Sequence, residues 1–367
     1  MKHTTPNRKK YLFIFLITLL LSGVANGQLT QSTFGVQGSF RYGYLLPHRS
    51  TMGHLLQGHT SSIELGGTFQ MDGSADWHHH FNMPSVSFVL NYMNFGFDEV
   101  LGSSIGTQIV SYLPYFRHKG WSAGSRLGAG IGYVNKKFDQ LDNPTNNAIG
   151  SNLNALVTFG FMVEKQFDRS SLGLELNMTH LSNGAYKLPN LGLNLLLVGL
   201  QYTYYLSDLN YKSIDSNRVD ILPLERKWSF HSQFIISTKQ IYPTGGSNYG
   251  ILSLANYVHY QTGEKCIIEG GVDAIYNQSI IRDVPGDYGA EKNIQFGTYL
   301  GYILPIHNVE LLVAMGRYVY NPLNPKGMWY HKLGSRIRLT ERLQANIVIK
   351  AHWAKADFFE YGITYQW

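Results

Sequence analysis

The sequence is poor in cysteine and in charge, and each shortage excludes a class of protein. Cys266 is the only cysteine, so a secreted fold held together by disulfides is excluded. Charged residues make up 15% of the chain, well below the roughly 25% of a typical soluble domain. Beyond residue 27 no run of about 18 apolar residues occurs, which excludes a membrane-spanning helix in that part of the chain. The chain is instead rich in aromatic residues and glycine, with 25 Tyr, 19 Phe and 38 Gly.

Residues 1–27 are predicted to be a signal peptide. The basic stretch MKHTTPNRKK precedes the apolar stretch YLFIFLITLLLSGVANG, which ends with small residues at Ala25 and Gly27. A lipoprotein would need a cysteine at the cleavage point, where this sequence has none. Removing residues 1–27 leaves 340 residues and takes away four basic side chains, so the formal charge falls from +6 to +2. The basic composition therefore gives no support to a nucleic-acid partner.

Apolar residues alternate with polar or small ones along the rest of the chain, which is the period of a β-strand. The pattern occurs in PSVSFVLNYMNF, in WSAGSRLGAGIGYV and in the last segment, FFEYGITYQW. In a membrane barrel the apolar side chains point outward and the polar or small ones inward. We therefore predict an all-β fold, a transmembrane antiparallel β-barrel in the outer membrane of a Gram-negative bacterium. The aromatic final strand, ending at Trp367, resembles the signal that outer-membrane assembly machinery reads.

The alternation predicts about eight strands between residues 33 and 206 and about eight more between 228 and 367. Between them, SDLNYKSIDSNRVDILPLERK is polar and unpatterned. We assign residues 28–206 to a first barrel region, 207–227 to a linker or long turn, and 228–367 to a C-terminal strand region. Two architectures stay open: one large barrel of about 14 to 16 strands, or an eight-stranded barrel followed by a second barrel-like half.

One strand carries a histidine and a serine on its apolar side. In LGLELNMTHLSNG, His180 and Ser182 share a face with Leu172 and its alternate neighbours, and Asn194 lies on the apolar face of the next strand. The segment SNGAYKLPNLG joins the two strands, so these three side chains can converge near the membrane interface. A serine hydrolase would use Ser182 as nucleophile, His180 as general base and Asn194 to orient the imidazole. The alternative is a pair of rim residues that meet only headgroups and water.

The segment HLSNGAYKLPNLGLN resembles the signature of the outer-membrane lipid A 3-O-deacylase family (PagL type), which includes acyloxyacyl hydrolases. The matching positions are His180, Ser182, Asn183, Pro189, Asn190 and Gly192. The resemblance covers roughly residues 33–206 and implies an eight-stranded barrel that removes a fatty acyl chain from lipid A without a metal or other cofactor. The loop amides, with Asn183, Gly184 and Asn190, are the candidates for binding the oxyanion or the substrate.

The sequence departs from that family at one position, because Asn194 stands where the best-known pattern has glutamate. A His-Ser-Asn triad is similar to that of a second family, the calcium-dependent outer-membrane phospholipase A. Calcium sites need several oxygen ligands, including carboxylates, and AYKLPNLGL between the two strands has none. A phospholipase A-like lipase therefore ranks second, and a non-catalytic pore or structural barrel is the third alternative.

The expected partner is lipid A of lipopolysaccharide in the outer leaflet, with the active site towards the cell surface. Lys187 is either a contact for a lipid A phosphate or an exposed loop lysine. The run Trp77-His78-His79-His80 is interpreted as a rim segment rather than a metal site, although its length is unexpected for the periplasmic side to which the strand order assigns it. The sequence leaves a homodimer open.

Overall fold

The computed structural model describes residues 32–209, 227–323, 325–353 and 355–367. Within these residues, sixteen antiparallel strands form two closed barrels of eight strands each. The all-β prediction is thereby confirmed, and the open choice between one large barrel and two smaller ones is decided for two. The predicted signal peptide, and most of the predicted linker, lie outside the described residues.

The strand bounds follow the alternating segments of the sequence. The first barrel consists of β1 (Ser32–Leu45), β2 (Thr60–Met71), β3 (Ser85–Asn94), β4 (Ser103–His118), β5 (Trp121–Val134), β6 (Leu153–Gln166), β7 (Ser170–Ser182) and β8 (Leu193–Tyr205). The second consists of β9 (Trp228–Gln240), β10 (Asn248–Gly263), β11 (Cys266–Asn277), β12 (Ile294–Ile306), β13 (Val309–Tyr320), β14 (Trp329–Arg338), β15 (Leu343–His352) and β16 (Lys355–Gln366). Short helical turns span Ser50–Leu55, Asp76–His80, Ile280–Asp283 and Ala290–Asn293.

Each barrel closes by pairing its first strand with its last. In the first barrel β1 pairs with β8, from Gly35 opposite Tyr205 to Leu45 opposite Leu195. In the second barrel β9 pairs with β16, and Ile236 lies opposite Tyr361. Closure leaves neither barrel with an unpaired strand edge, as a lipid environment requires. It also brings the residues that follow β1 next to the beginning of β8.

The two faces of each strand have opposite environments. Along β7, Leu172 and Leu174 are 46% and 56% exposed, whereas the inward-facing Glu175 is 1% exposed. The interior of the first barrel holds a four-residue ion cluster. Arg41 Nε lies 2.6 Å from Glu175, Arg41 Nη2 lies 3.0 Å from Glu64, and Arg126 pairs with both carboxylates. All four side chains are buried, so the interior is packed rather than filled with bulk water.

The second barrel is also packed, with ion pairs and aromatic rings. Lys332 lies 2.7 Å from Asp273, and Arg336 pairs with Glu269. The ammonium group of Lys350 lies 3.8 Å from the centre of the Tyr330 ring. These side chains are buried, and together they fill the barrel.

The long connections of the first barrel cluster at one end, called here the loop end. They are residues 46–59, 95–102, 135–152 and 183–192. A small apolar core that includes Leu45, Met52, Phe95 and Ile149 closes this end. The opposite end, called the turn end, carries short turns such as residues 119–120 and 167–169, together with the helix Asp76–His80.

The unexpectedly long segment at the turn end contacts the second barrel. Trp77 stacks on His307 with 5.6 Å between ring centres, and His80 Nδ1 lies 3.6 Å from a carboxylate oxygen of Glu264. Lys265 lies over the ring of Phe81. The length of this segment is thus explained by a contact between the barrels. No helix among the described residues has the length and apolar character needed to cross a membrane.

Candidate active site

His180, Ser182 and Asn194 lie together at the loop end of the first barrel. Asn194 is the direct partner of His180 in the β7–β8 pairing, and Ser182 follows His180 by two residues, so all three share the outer face. His180 Nδ1 lies 2.6 Å from Asn194 Oδ1, and His180 Nε2 lies 2.9 Å from Ser182 Oγ. Strand pairing and strand period together produce a continuous Ser-His-Asn hydrogen-bond chain.

The side-chain oxygen of Asn194 determines which ring nitrogen of His180 carries the proton. Asn194 Oδ1 can only accept, so His180 Nδ1 carries the proton and donates it. His180 Nε2 then has a free lone pair, which accepts from the Ser182 hydroxyl. This is the arrangement in which an imidazole can remove the proton of an attacking hydroxyl. Ser182 is 7% exposed, and the active-site loop, residues 183–192, begins directly after it at the end of β7.

Asn183 holds the active-site loop in shape. Its Nδ2 donates to Ser151 Oγ at 2.8 Å and to the carbonyl of Lys187 at 3.0 Å, while its Oδ1 accepts from the Lys187 N–H at 3.3 Å. The side-chain amide is thus occupied by contacts within the protein. Its contribution to the site is to fix the loop that follows Ser182.

Asn190 and Gly184 present N–H groups that remain available. Asn190 Oδ1 accepts from the backbone N–H of Asn183 at 3.0 Å, whereas its buried Nδ2 has no hydrogen-bond partner among the described residues. The backbone N–H of Gly184 likewise donates to no described residue. A buried donor without a partner is costly, so these two groups are suited to receive an oxygen atom of a ligand.

Two glycines of the loop make close approaches that a side chain would block. Gly192 has φ +79°, and a Cβ there would lie 2.7 Å from Cε1 of His180. Gly184 has φ +63°, and a Cβ there would lie 2.3 Å from Cδ2 of Phe359 on β16. The first contact places loop backbone against the His180 imidazole, and the second places the loop against the other barrel.

For the hydrolase predicted from the sequence, Gly192→Ala is expected to reduce hydrolysis about 100-fold, because displacing the His180 imidazole by about 1 Å would cost on that order. The measurement is kcat of the purified protein in detergent. Gly327→Ala is the matched control, since Gly327 also has a positive φ, +90°, but a Cβ added there would meet no atom within 4 Å. Equal activities of the two variants would contradict close packing of Gly192 on His180.

Two further segments support the active-site loop. The Gly192 N–H donates to the carbonyl of Ala148 at 2.9 Å, in the 135–152 connection. From the second barrel, Gln240 Oε1 accepts from the Leu188 N–H at 2.8 Å, and the Gln240 N–H donates to the Ala185 carbonyl at 2.9 Å. The loop that follows Ser182 is thus held from both barrels.

His48 belongs to the site but was not predicted. It follows β1, is half-buried, and its Nδ1 accepts from Asn194 Nδ2 at 3.0 Å. The PHRS stretch has no pattern that singles out His48 as functional. Barrel closure could have identified His48, because pairing β1 with β8 places the end of β1 beside Asn194.

Lys187 and the histidine run, the remaining candidates from the sequence, lie at opposite ends of the first barrel. Lys187 is in the active-site loop, and its Nζ lies 3.4 Å from Asn248 Oδ1 of the second barrel. Asn147, in the 135–152 connection, braces the loop end, where its Nδ2 donates to the carbonyl of Thr51 at 2.7 Å. The histidine run at residues 78–80 lies at the opposite end of the barrel, apart from the Ser-His-Asn chain.

Comparison with protein families identifies two consecutive matches. Residues 62–203 match the family described as lipid A 3-O-deacylase (PagL), and residues 228–367 match the acyloxyacyl hydrolase C-terminal domain. The second match extends the resemblance beyond the region covered by the sequence motif. No curated protein matches the chain.

Solved structures similar to this chain include a porin and a siderophore receptor, both of low identity. A triple mutant of the Rhodopseudomonas blastica porin is 9% identical, with a TM-score of 0.17, and the match covers 92% of this chain and 100% of the porin. The siderophore receptor PirA of Acinetobacter baumannii is 10% identical, with a TM-score of 0.22, covering 87% of this chain and 43% of the receptor.

Proposed function

Because this chain belongs to the lipid A 3-O-deacylase (PagL) family, with an acyloxyacyl hydrolase C-terminal domain, we propose that it is an outer-membrane serine esterase that removes an ester-linked fatty acyl chain from lipid A. The observation that carries the proposal is the hydrogen-bond chain from Ser182 through His180 to Asn194. Its position on the outer face suits a substrate that is itself a membrane lipid. The loop end then faces the cell surface, where lipid A is found.

In the proposed acylation step, Ser182 Oγ attacks the ester carbonyl carbon while its proton passes to His180 Nε2. The oxyanion that forms is stabilised by Asn190 Nδ2 and the Gly184 N–H, two donors of the loop without a described partner. The tetrahedral intermediate then breaks its bond to the sugar oxygen, which takes the proton from the imidazolium. The fatty acyl chain is left as an ester on Ser182.

In deacylation, a water molecule loses a proton to His180 Nε2 and attacks the acyl-serine carbonyl. Collapse of the second intermediate returns the proton to Ser182 Oγ and releases the fatty acid. Asn194 holds the Nδ1–H tautomer in both steps. It brings no negative charge to stabilise the imidazolium, unlike the glutamate usual in this family.

Mass spectrometry of membrane lipids tests the proposal. Expression of the protein should shift lipid A to a lower mass by one fatty acyl chain, and an inactive variant should not. Phospholipids are measured in the same cells. Accumulation of lysophospholipids with unchanged lipid A would replace the deacylase by the phospholipase A-like alternative.

Excess chelator is expected to leave the activity unchanged, because the active-site loop contains no carboxylate that could bind a calcium ion. The assay is initial rate with EDTA, with EDTA followed by calcium, and without additions. Loss of activity that only calcium restores would favour the phospholipase A-like alternative. That alternative ranks second because its family also has asparagine as the third member of the triad, the position of Asn194 here. The pore alternative is disfavoured by the packed interiors of both barrels.

A further inference from the structure

We propose that His48 is a positioning residue of the proposed esterase: its unprotonated Nδ1 accepts from Asn194 and so holds the Asn194 amide in its catalytic orientation. The inference rests on the proposed function and extends it by one residue. An asparagine amide has two ends of nearly equal shape but opposite chemistry, one accepting and one donating. Something must therefore select which end faces His180.

The two hydrogen bonds of the amide select its orientation from both sides. Asn194 Nδ2 lies 3.0 Å from His48 Nδ1, and Asn194 Oδ1 lies 2.6 Å from His180 Nδ1. If the amide turned over, its NH2 group would face His180 Nδ1, which would then have to accept. The His180 proton would move to Nε2, and Nε2 could no longer remove the Ser182 proton. The orientation of one amide thus decides whether the base is usable.

Protonation of His48 would reverse the selection, because a protonated ring offers only donors. The groups that face His48 act against that protonation. Burial, the positive charge of Arg49 and that of protonated His180 lower the pKa of His48, and a hydrogen bond to the backbone of Leu191 opposes them. His48 is then unprotonated near neutral pH, and acid turns the amide over in addition to protonating His180.

The pH dependence of kcat distinguishes the positioning role of His48 from a role in packing alone. In acid, we expect log kcat to fall with a slope above 1, approaching 2, for the unmodified protein, because protonation of His180 abolishes activity and protonation of His48 lowers it about 10- to 100-fold. For His48→Gln, whose amide oxygen accepts without titrating, the slope should be about 1. His54→Gln is the matched control, a histidine of the same connection that contacts Thr145, and should keep the steeper slope of the unmodified protein. Identical slopes in all three proteins would overturn the inference.

A second experiment, at constant pH, replaces the hydrogen-bond acceptor at position 48 by a donor. His48→Lys offers only donors and should lower kcat about 10- to 100-fold, the cost of opposing donors at a partly buried amide, whereas His48→Gln should stay within about threefold. In an Asn194→Glu background the carboxylate can accept from both neighbours, so His48→Lys should lower kcat only slightly. An equal loss of kcat in both backgrounds would indicate a steric effect of the lysine and would refute the positioning role of His48. Ser182→Ala, assayed in parallel, tests the proposed function separately.

A separate set of contacts leads us to infer that the second barrel positions the active-site loop. Gln240 bonds the loop backbone at Leu188 and at Ala185, and Asn248 Nδ2 donates to the Tyr186 carbonyl at 2.8 Å. Gly184 lies against Phe359 so closely that any side chain would collide. Three peptide groups and the loop's first glycine are therefore fixed by the other barrel.

Gln240→Ala and Asn248→Ala test this second inference in the full chain. Each should lower kcat about five- to tenfold, as expected for a lost hydrogen bond, leave KM within about twofold, and accelerate hydrogen exchange of the loop amides. Gln278→Ala is the matched control, because Gln278 accepts from the Gly250 N–H at the same end of the barrel and bonds no described residue of the loop. Unchanged kcat in both variants refutes the inference even if Ser182→Ala is inactive.

Discussion

Replacing Ser182 or His180 by alanine is expected to reduce hydrolysis by about 10⁴-fold or more, because nucleophile and base act as one unit. In the proposed mechanism, their hydrogen bond of 2.9 Å is the contact through which the proton would leave the hydroxyl. The double variant should be no less active than either single one, since each alone already disables the step. The measurement is release of fatty acid from lipid A by purified protein in detergent.

Folding must be checked in the same samples, and the heat-dependent shift of a barrel on a gel provides that check. Neither side chain fills a barrel interior, so both variants should show the shift. Asn194→Ala should lose less activity than either, because Asn194 orients the imidazole without touching the substrate. Full activity in both Ser182→Ala and His180→Ala, with intact folding, would remove the serine-esterase mechanism.

The second large effect concerns the interior of the first barrel. Glu64→Ala is expected to destabilise the fold by about 3 to 5 kcal/mol, the usual cost of leaving a buried charge without its partner. Glu64 pairs with both Arg41 and Arg126, and its side chain is 1% exposed, so water cannot replace the lost carboxylate. Two guanidinium groups would then share Glu175 alone.

The free energy of unfolding in urea, measured in detergent micelles, tests this prediction. Glu99→Ala is the control, because Glu99 is exposed at the loop end and should change stability little. The double variant Glu64→Ala with Arg126→Ala removes one charge of each sign and should cost less than the sum of the single variants. A change of less than about 1 kcal/mol for Glu64→Ala would show that the cluster does not stabilise the barrel.

Much of the fold could be predicted because strand alternation is a local property. Each residue's neighbours two positions away share its environment, so the eight strands expected from about 33 to 206 are found from Ser32 to Tyr205. Barrel closure is not local. The same alternation suits a β8 that pairs with β1 or one that pairs with β9, and only the pairing register distinguishes two barrels from one.

The site divides in the same way. The convergence of His180, Ser182 and Asn194 follows from strand period and from the direct connection of two consecutive strands, both of which can be read along the chain. The contact of the Asn183 amide with Ser151 cannot, because Ser151 is 32 residues away and is brought close by loop folding. His48 lies 146 residues before Asn194 and meets it only when the barrel closes. Contacts made by loops across the barrel end therefore required the structure.

Under the proposed function, the outward direction of Ser182 determines how the protein would meet a lipid substrate. A catalytic group on the lipid-facing side is reached by lateral diffusion in two dimensions, so the relevant substrate concentration is a mole fraction in the membrane rather than a molarity in solution. Diluting lipid A with an inert lipid should then slow turnover at constant total lipid A. Adding more vesicles of the same composition should leave the rate per enzyme unchanged. Rates measured in detergent are comparable only at a fixed ratio of lipid A to detergent.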